Sequence, residues 1–490
     1  MSSVSRLPRS LYTAAQAREL DRRAIAAGTS AHALMTRAGE AAFHLLRERW
    51  PAATRIVVLA GPGNNGGDGY VLARLAWSQN LDVHVLALGD DEPLTGAAAE
   101  AASDATRARV PEKSWKGVLP DADVYVDALF GTGLNKPVRG DFAAAIAALN
   151  ASGRPVLALD IPSGLQADTG AELGEAVHAD ATISFIALKA GLLTGRGPAL
   201  AGALFLSDLA LPAALYDGVA PVARRLAAED LAVLGRRARD AHKGRHGHLL
   251  IVGGDHGMAG AVALAAEAAL RGGAGRVSVA TRSAHTALIT GRRPELMCHG
   301  VEQAADLAPL LAQADVVVMG PGLGRGEWGS ALYGAVLDTR LPLVLDADAL
   351  NLLATMPESR PDWVLTPHPG EAARLLGNSV AAVQADRFAA LRALQSHYGG
   401  SVVLKGAGSL VAEAGGIALC PYGNPGMGTA GMGDVLAGVI GALLGQGVAQ
   451  PAALGVLAHA LAGDDAAAEG GERGLIATDL LSPLRRRLNP

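Results

Sequence analysis

With 490 residues and domains usually running about 100–200 residues each, the chain has room for two or three domains with substantial cores, which excludes a single small module. Hydrophobic residues make up 50% of it and charged ones 18%, enough apolar surface to offset the entropy of folding, which excludes a disordered chain. A net charge of -5 supplies no cationic field of the kind that holds a phosphate backbone, so nucleic acid is not expected as a partner.

The opening stretch, MSSVSRLPRSLYTAAQAREL, has basic residues but no uninterrupted apolar core of the length a secretory signal needs, so export is not expected. In the first half, apolar runs suited to buried strands recur, RIVVLA at 55–60, VHVLAL at 83–88, VYVDAL at 124–129 and PVLALD at 155–160, with alanine-rich helical stretches between them. That alternation predicts a parallel sheet covered by helices, with ligands at the carboxyl ends of strands. Three glycine-bearing motifs fall at such ends. GPGNNGGDGY, Gly61 to Tyr70, follows the first strand and precedes the helical VLARLAW; its glycines allow close backbone approach, its amides can face phosphate oxygens, and the helix adds its positive end. VDALFGTGLNKP carries Asp127 and Gly131 to Pro137, and LDIPSGL carries Asp160 and Ser163. Asn65, Asp127 and Ser163 thereby fall around one crevice as oxygen ligands suited to a hard cation, although a strand-end carboxylate can equally cap the next helix.

After Ser207 the pattern loosens, and basic residues cluster through Arg236, Arg237, Arg239, Lys243 and Arg245; the domain boundary is placed within 208–235. A new strand series follows: HLLIV at 248–252, RVSVA at 276–280, DVVVMG at 315–320, PLVLDAD at 342–348 and SVVLKG at 401–406. Stretches 259–270 and 452–468 read as cover helices. Cys298 and Cys420 can form neither a disulfide framework nor a metal knuckle, which fits a reducing, cytoplasmic compartment. Near the C-terminus stands GNPGMGTAGMGDVLAGVIGALLG. Its apolar part, Val435 to Gly445, is far short of the roughly 20 residues a bilayer crossing needs and reads as a buried helix; no membrane is expected as a partner. In GTAGMGD, free amides lie at a helix start beside Asp434, an arrangement that can neutralise a transferring phosphoryl group and take the proton of an attacking hydroxyl.

The ordered motifs GPGNNGGDG, DALFGTG and DIPSGL resemble the N-terminal domain of NAD(P)H-hydrate epimerases over roughly residues 10–215. GTAGMGD resembles the anion hole and catalytic aspartate of ribokinase-like kinases. The wider order HKGRHGHLLIVGGD, AEAALRGGAG, GPGLG, LDADAL, TPHPGE, KGAGS and GTAGMGD resembles the ADP/ATP-dependent NAD(P)H-hydrate dehydratases over about 225–488. The resemblance implies an α/β protein with a Rossmann-like three-layer domain at 1–215 and a ribokinase-like α/β/α domain at 225–490. It implies that Asn64, Asn65, Gly66, Gly67 and Asp68, with Gly131, Thr132, Gly133, Leu134, Asn135, Lys136 and Pro137, embrace the hydrated cofactor. Asn65, Asp127 and Ser163 would bind K+, and Asp160 would face the reacting ring, where a carboxylate can move a proton. Lys136 and Lys189 are candidate charge partners, although such lysines are more often solvated.

In the second half, the resemblance implies that Ala261, a glycine of GPGLG (Gly322 or Gly324) and His368 contact the hydrate. Lys405, Gly406, Ala407, Gly408 and Ser409, with Gly433, would hold ADP or ATP with Mg2+, and Asp434 would touch the reacting hydroxyl. His368 lies between prolines in TPHPGE, which reads as a rigid loop suited to a ligand. Where the family commonly carries an aromatic residue and a small-residue–proline turn after its glycine pair, this chain has DHGMAGAV, which leaves contacts from Met258 to Val262 open. The implied activity is bifunctional: epimerisation of R and S NADHX and NADPHX, and nucleotide-dependent dehydration of the S hydrate to NAD(P)H, with phosphate and AMP from ADP. A homo-oligomer is expected. Rival readings are a kinase of a sugar or thiazole alcohol, resting on the anion-hole segment, and a first half that senses cofactor without catalysis.

Overall fold

In the computed structural model, which describes residues 7–89 and 94–489, the sequence forms two units, Met1–Arg224 and Arg225–Pro490. The first six residues of the stretch read for export lie outside the described residues. Unit one contains a short strand β1 (Ser10–Leu11), paired antiparallel with the first two residues of β9 (Ala223–Arg225), and a seven-stranded sheet. The sheet strands are β2 (Arg55–Ala60), β3 (Asp82–Ala87), β4 (Glu112–Ser114), β5 (Val124–Ala128), β6 (Val156–Leu159), β7 (Ala181–Phe185) and β8 (Ala203–Ser207). They run β4-β3-β2-β5-β6-β7-β8, all parallel. Chain order reverses between β2 and β5, the switch point at which open parallel sheets bind ligands. β2 and β5 are almost wholly buried, which accounts for their continuous apolar runs.

β4, β7 and β8 were not foreseen; β8, ALFLS, is only partly buried, and the other two escaped for different reasons. β4 is an exposed edge of three polar residues. β7, ATISF, is buried throughout, yet its Thr182 and Ser184 break the apolar run; Thr182 Oγ1 donates to Ala201 O at 2.7 Å, which satisfies the hydroxyl inside the core.

Unit two is built on β10 (His248–Val252), β11 (Arg276–Thr281), β12 (Met297–Gly300), β13 (Val316–Met319), β14 (Leu343–Leu345), β15 (Trp363–Leu365), β16 (Ser401–Leu404), β17 (Ser409–Glu413) and β18 (Gly416–Cys420). Their order is β18-β17-β16-β15-β14-β13-β10-β11-β12, with β10 to β16 parallel and β17 and β18 antiparallel. Helices Ala259–Arg271 and Pro451–Gly470 occupy the two alanine-rich stretches. The helix Met432–Gly445 is buried without interruption from Val435 to Leu443, and glycines let it approach its neighbours: a Cβ added at Gly438 would lie 2.0 Å from Ala265 O. No helix among the described residues is long and apolar enough to cross a membrane.

Candidate functional site

The three N-terminal motifs meet at one cavity of about 800 Å³. The glycine-rich segment is not a loop: the chain leaves β2 through Gly61 and enters the helix Asn64–Ser78, so Asn64 to Asp68 occupy its first turns. Two glycines there answer to packing, because an added Cβ would lie 2.0 Å from Leu129 O at Gly61 and 2.0 Å from Gly61 O at Gly66. Asn64, Asn65 and Asp68 line the cavity with Gly131, Thr132, Gly133, Leu134, Asn135 and Lys136, whereas Gly66, Gly67 and Pro137 do not.

The three expected cation ligands do not come from three turns. Asn65 is on the helix, Asp127 is in β5 and Ser163 follows β6. Asp127 and Ser163 are 0% and 1% exposed. Ser163 donates to the Asp127 carboxylate through Oγ at 2.6 Å and N–H at 2.7 Å, and Leu129 N–H adds a contact at 3.2 Å. Burial pushes the Asp127 carboxyl up to about 6 against those donors. Both amide atoms of Asn65 are buried with no partner, an arrangement that costs free energy unless something else occupies the site.

Asp160 holds a left-handed backbone, φ 63°, at the end of β6, and its carboxylate lines the cavity. Lys189 is no solvated lysine. It is 2% exposed and spends its donors on Asp160 Oδ1 at 2.5 Å, Ser184 Oγ at 3.2 Å and Phe185 O at 2.8 Å. Lys136 is exposed at the rim.

In unit two, the strand ends of β10, β13, β14, β15 and β16 carry the remaining motifs. Gly322 packs on Met258 and Ala261: a Cβ there would lie 2.7 Å from Met258 Cβ and 3.2 Å from Ala261 Cβ. This brings two expected substrate contacts together. Gly324 faces the Asp255 carboxylate, 3.0 Å from an added Cβ, and its N–H donates to Asp348 Oδ2 at 2.9 Å. Asp255 is held by Arg282 at 2.8 Å, whose guanidinium lies 4.3 Å from the centroid of the Trp328 ring.

Gly431, φ 89°, turns the chain into the helix Met432–Gly445, which places Gly433 and Asp434 in its first turn. Lys405 projects beneath that turn, its Nζ 3.3 Å from where a Gly433 Cβ would stand. It donates to Asp346 Oδ1 at 2.7 Å and lies 3.8 Å from Glu371 Oε2. Burial opposes the Lys405 charge, but Asp346, Glu371 and Asp434 outweigh burial and hold its pKa above the usual range. Burial, reinforced by Asp346 and opposed by Lys405, pushes the Asp434 carboxyl up to about 7. Gly406 to Ser409 form the tight connection from β16 to β17, in which Gly406 N–H donates to Ser409 Oγ at 3.2 Å and Ser409 Oγ–H to Gly406 O at 3.0 Å.

His368 is not in a loop. It caps the helix Pro369–Leu375, its Nδ1 accepting from Gly370 N–H at 3.0 Å, which leaves Nε2 on the half-exposed side of the ring, 3.3 Å from Glu371 Oε1. Asp346 and Glu371 were missed by sequence reasoning even though both lie inside quoted motifs, LDADAL and TPHPGE. A carboxylate ending an apolar run was the available signal for Asp346, 2% exposed, whereas nothing in TPHPGE announces the burial of Glu371, 5% exposed. Arg387, 1% exposed, supports the same loop by donating to Leu404 O at 3.1 Å and Lys405 O at 3.2 Å, and nothing local in its sequence announces that role.

Comparison with known proteins follows the same division. Residues 249–486 match the family described as NAD(P)H-hydrate dehydratase, and residues 31–191 match the family described as YjeF-related protein N-terminus. The bifunctional NAD(P)H-hydrate repair enzyme of Coxiella burnetii is 52% identical over 98% of this chain and 99% of its own length. Its counterpart in Escherichia coli is 48% identical over 94% of this chain and 90% of its own. Among solved structures, a ribokinase-like superfamily protein of Enterococcus faecalis is 30% identical with a TM-score of 0.50, covering 54% of this chain and 94% of that one. An ADP/ATP-dependent NAD(P)H-hydrate dehydratase of Bacillus subtilis, co-crystallised with ATP/Mg2+, is 27% identical with a TM-score of 0.47, covering 53% and 96%. The chain belongs to the bifunctional NAD(P)H-hydrate repair enzymes, with an epimerase domain at its N-terminus and a dehydratase domain at its C-terminus.

Proposed function

We propose that the cavity of unit one takes the R and S hydrates of NADH and NADPH, inverts ring carbon C6, and uses Asp160 at the reacting ring. Asn64, Asn65, Asp68 and the segment Gly131 to Lys136 hold the substrate, and Lys189 keeps Asp160 oriented. The observation that carries the reading is the convergence of three separated motifs on one cavity, with the Asp160 carboxylate in its wall paired to the buried Lys189 ammonium. Asn65, Asp127 and Ser163 fit a potassium ion, because Asn65 offers a buried oxygen with no other partner and Asp127 a buried charge. When bound, that ion supplies positive charge beside a substrate that brings phosphates.

Unit two dehydrates the S hydrate by a kinase-like route. Asp434 takes the C6 hydroxyl proton as the oxygen attacks the terminal phosphorus of ADP, releasing AMP. The C6–O bond then breaks with its electrons leaving on phosphate, the N1 lone pair assists, and loss of the C5 proton closes the C5–C6 double bond of NAD(P)H. Phosphate leaves far more readily than hydroxide. Lys405 and the first-turn amides offset charge on the moving phosphoryl group, Gly406 to Ser409 and Gly433 hold the nucleotide, and Ala261, Gly322, Gly324 and His368 face the hydrate. No group of three His, Cys, Asp or Glu residues among the described ones has a metal-holding arrangement. The nucleotide phosphates would carry the Mg2+, which would supply charge compensation as the phosphoryl group moves. A cytoplasmic homo-oligomer using ADP in preference to ATP completes the reading.

The test incubates the protein with mixed R and S hydrates and each nucleotide, following reduced-cofactor absorbance and product mass. Recovery of both epimers with free phosphate is expected. A stable phosphorylated product would replace the dehydratase mechanism with a true kinase.

A further inference from the structure

Three carboxyl groups, Asp21, Asp68 and Asp160, line the cavity of unit one, and Asp68 and Asp160 sit in opposite electrostatic settings. Asp160 is tied to the buried Lys189 ammonium at 2.5 Å. Asp68, in the second turn of the helix Asn64–Ser78, is 9% exposed, and no hydrogen bond reaches its carboxyl group among the described residues. Asp127 shows what a buried carboxylate requires to carry charge here, since three donors converge on it. Asp68 has no donor. The charged groups that act on it are Asp160 and Asp21, which disfavour its ionisation, and Lys189, which favours it; Arg18 lines the same cavity. Burial comes first and the two carboxylates second, and together they push the Asp68 carboxyl well above the ordinary range.

We propose that Asp68 is a further catalytic residue of the epimerase, the general acid that protonates the departing C6 hydroxyl while Asp160 acts as the paired base. This rests on the epimerase reading of unit one. Asp68 gives its proton to the C6 hydroxyl as the C6–O bond breaks, the bonding electrons leave on water, and the N1 lone pair forms a C6–N1 double bond. C6 is then planar. A solvent water adds to the opposite face, the double-bond electrons return to N1, and the Asp160 carboxylate takes the proton lost by that water. One water leaves, one enters, and one proton passes from Asp68 to Asp160. Proton exchange with water in the open cavity returns Asp68 to its acid form and Asp160 to its base form before the next turnover, and the reverse epimerisation runs the same steps backwards. Environments that push two carboxyl groups apart are how one site keeps an acid and a base at the same pH.

The experiment follows conversion of the pure R hydrate in ¹⁸O-water with potassium present, for the wild-type full chain and for Asp68→Asn, which keeps the size and neutrality of the protonated acid but has no proton to give. Wild type is expected to place one solvent oxygen at C6 per epimerisation at initial rates. The kcat of Asp68→Asn should fall by about 100-fold or more and hydrate affinity by calorimetry at least tenfold less than that, because the amide keeps a polar contact to the substrate but has no proton to give. Wild-type kcat should decline on the alkaline side, and the residual rate of the variant should lack that limb. Conversion without ¹⁸O uptake, or a variant within tenfold of wild type, overturns the proposal while leaving the epimerase reading intact. A wild-type protein that interconverts no hydrate removes both.

Discussion

Potassium is expected to stabilise unit one about twice as strongly at pH 8 as at pH 5. Burial pushes the Asp127 carboxyl from an ordinary 3.8 up to about 6. About two pH units correspond to roughly 3 kcal/mol at 1.36 kcal/mol per unit. The sign follows from where the proton sits: below about 4 Asp127 is protonated folded and unfolded, and the protein keeps that stability. As the pH rises through about 6 the buried group ionises and the stability is lost. A cation against the carboxylate opposes the loss, and at 100 times its Kd it contributes about 2.7 kcal/mol. For a unit of this size, at about 2–4 °C per kcal/mol, the shift in Tm is roughly 5–11 °C. The assay is scanning calorimetry with potassium against tetramethylammonium chloride at equal ionic strength, at pH 5 and pH 8, on wild type and Asp127→Ala. The variant should lose both the shift and the potassium dependence of epimerisation, while dehydration of pure S hydrate stays near wild type. If Asp127 only caps a turn, Asp127→Ala loses about 0.5–2 kcal/mol and keeps the potassium response. That result, or an equal shift at both pH values, refutes the cation site.

Asp434→Asn should lower nucleotide-dependent dehydration by about 10²–10⁴ with epimerisation intact; wild-type dehydration should rise with pH through about 7, where Asp434 ionises, in a pH–rate profile. Gly433→Val should weaken nucleotide binding by calorimetry, and the route is specific, because the new side chain meets Lys405 Nζ and the Asp346 carboxylate at 3.3 and 3.4 Å from its Cβ. Lys189→Met removes the buried countercharge of the cavity-facing Asp160 carboxylate, which water in the cavity can still solvate, and should cost about 1–3 kcal/mol in urea unfolding of unit one.

Where an apolar run fills a strand with both faces buried, the sequence located it to within a residue or two, as at β2 and β10. β12 escaped because MCHG is a half-exposed edge with no such run, and β15 because its three residues stand between prolines in PDWVLTPHP, which reads as turn and loop. Site motifs were legible because glycine and carboxylate at strand ends are chemically conspicuous. Their local conformation was not: GPGNNGGDG reads as a flexible loop until Leu129 O and Met35 are seen pressing on it, and those neighbours come from distant sequence. Lys189 looked like a surface lysine for the same reason. Its partner Asp160 is 29 residues away, and only the parallel pairing of β6 with β7 brings the two together.

Gly438 lies one turn beyond Asp434 on the helix whose start carries the proposed base, pressed against the Ala265 carbonyl at a separation that admits no side chain. A random-mutagenesis screen for lost dehydration would therefore gather hits at Gly438 and along Ala265 to Ala269 that touch neither substrate nor nucleotide. Such hits would lift the helix and carry Asp434 with it. The apparent footprint of catalysis in a genetic map would be a stripe down the core of unit two, far larger than the pocket itself.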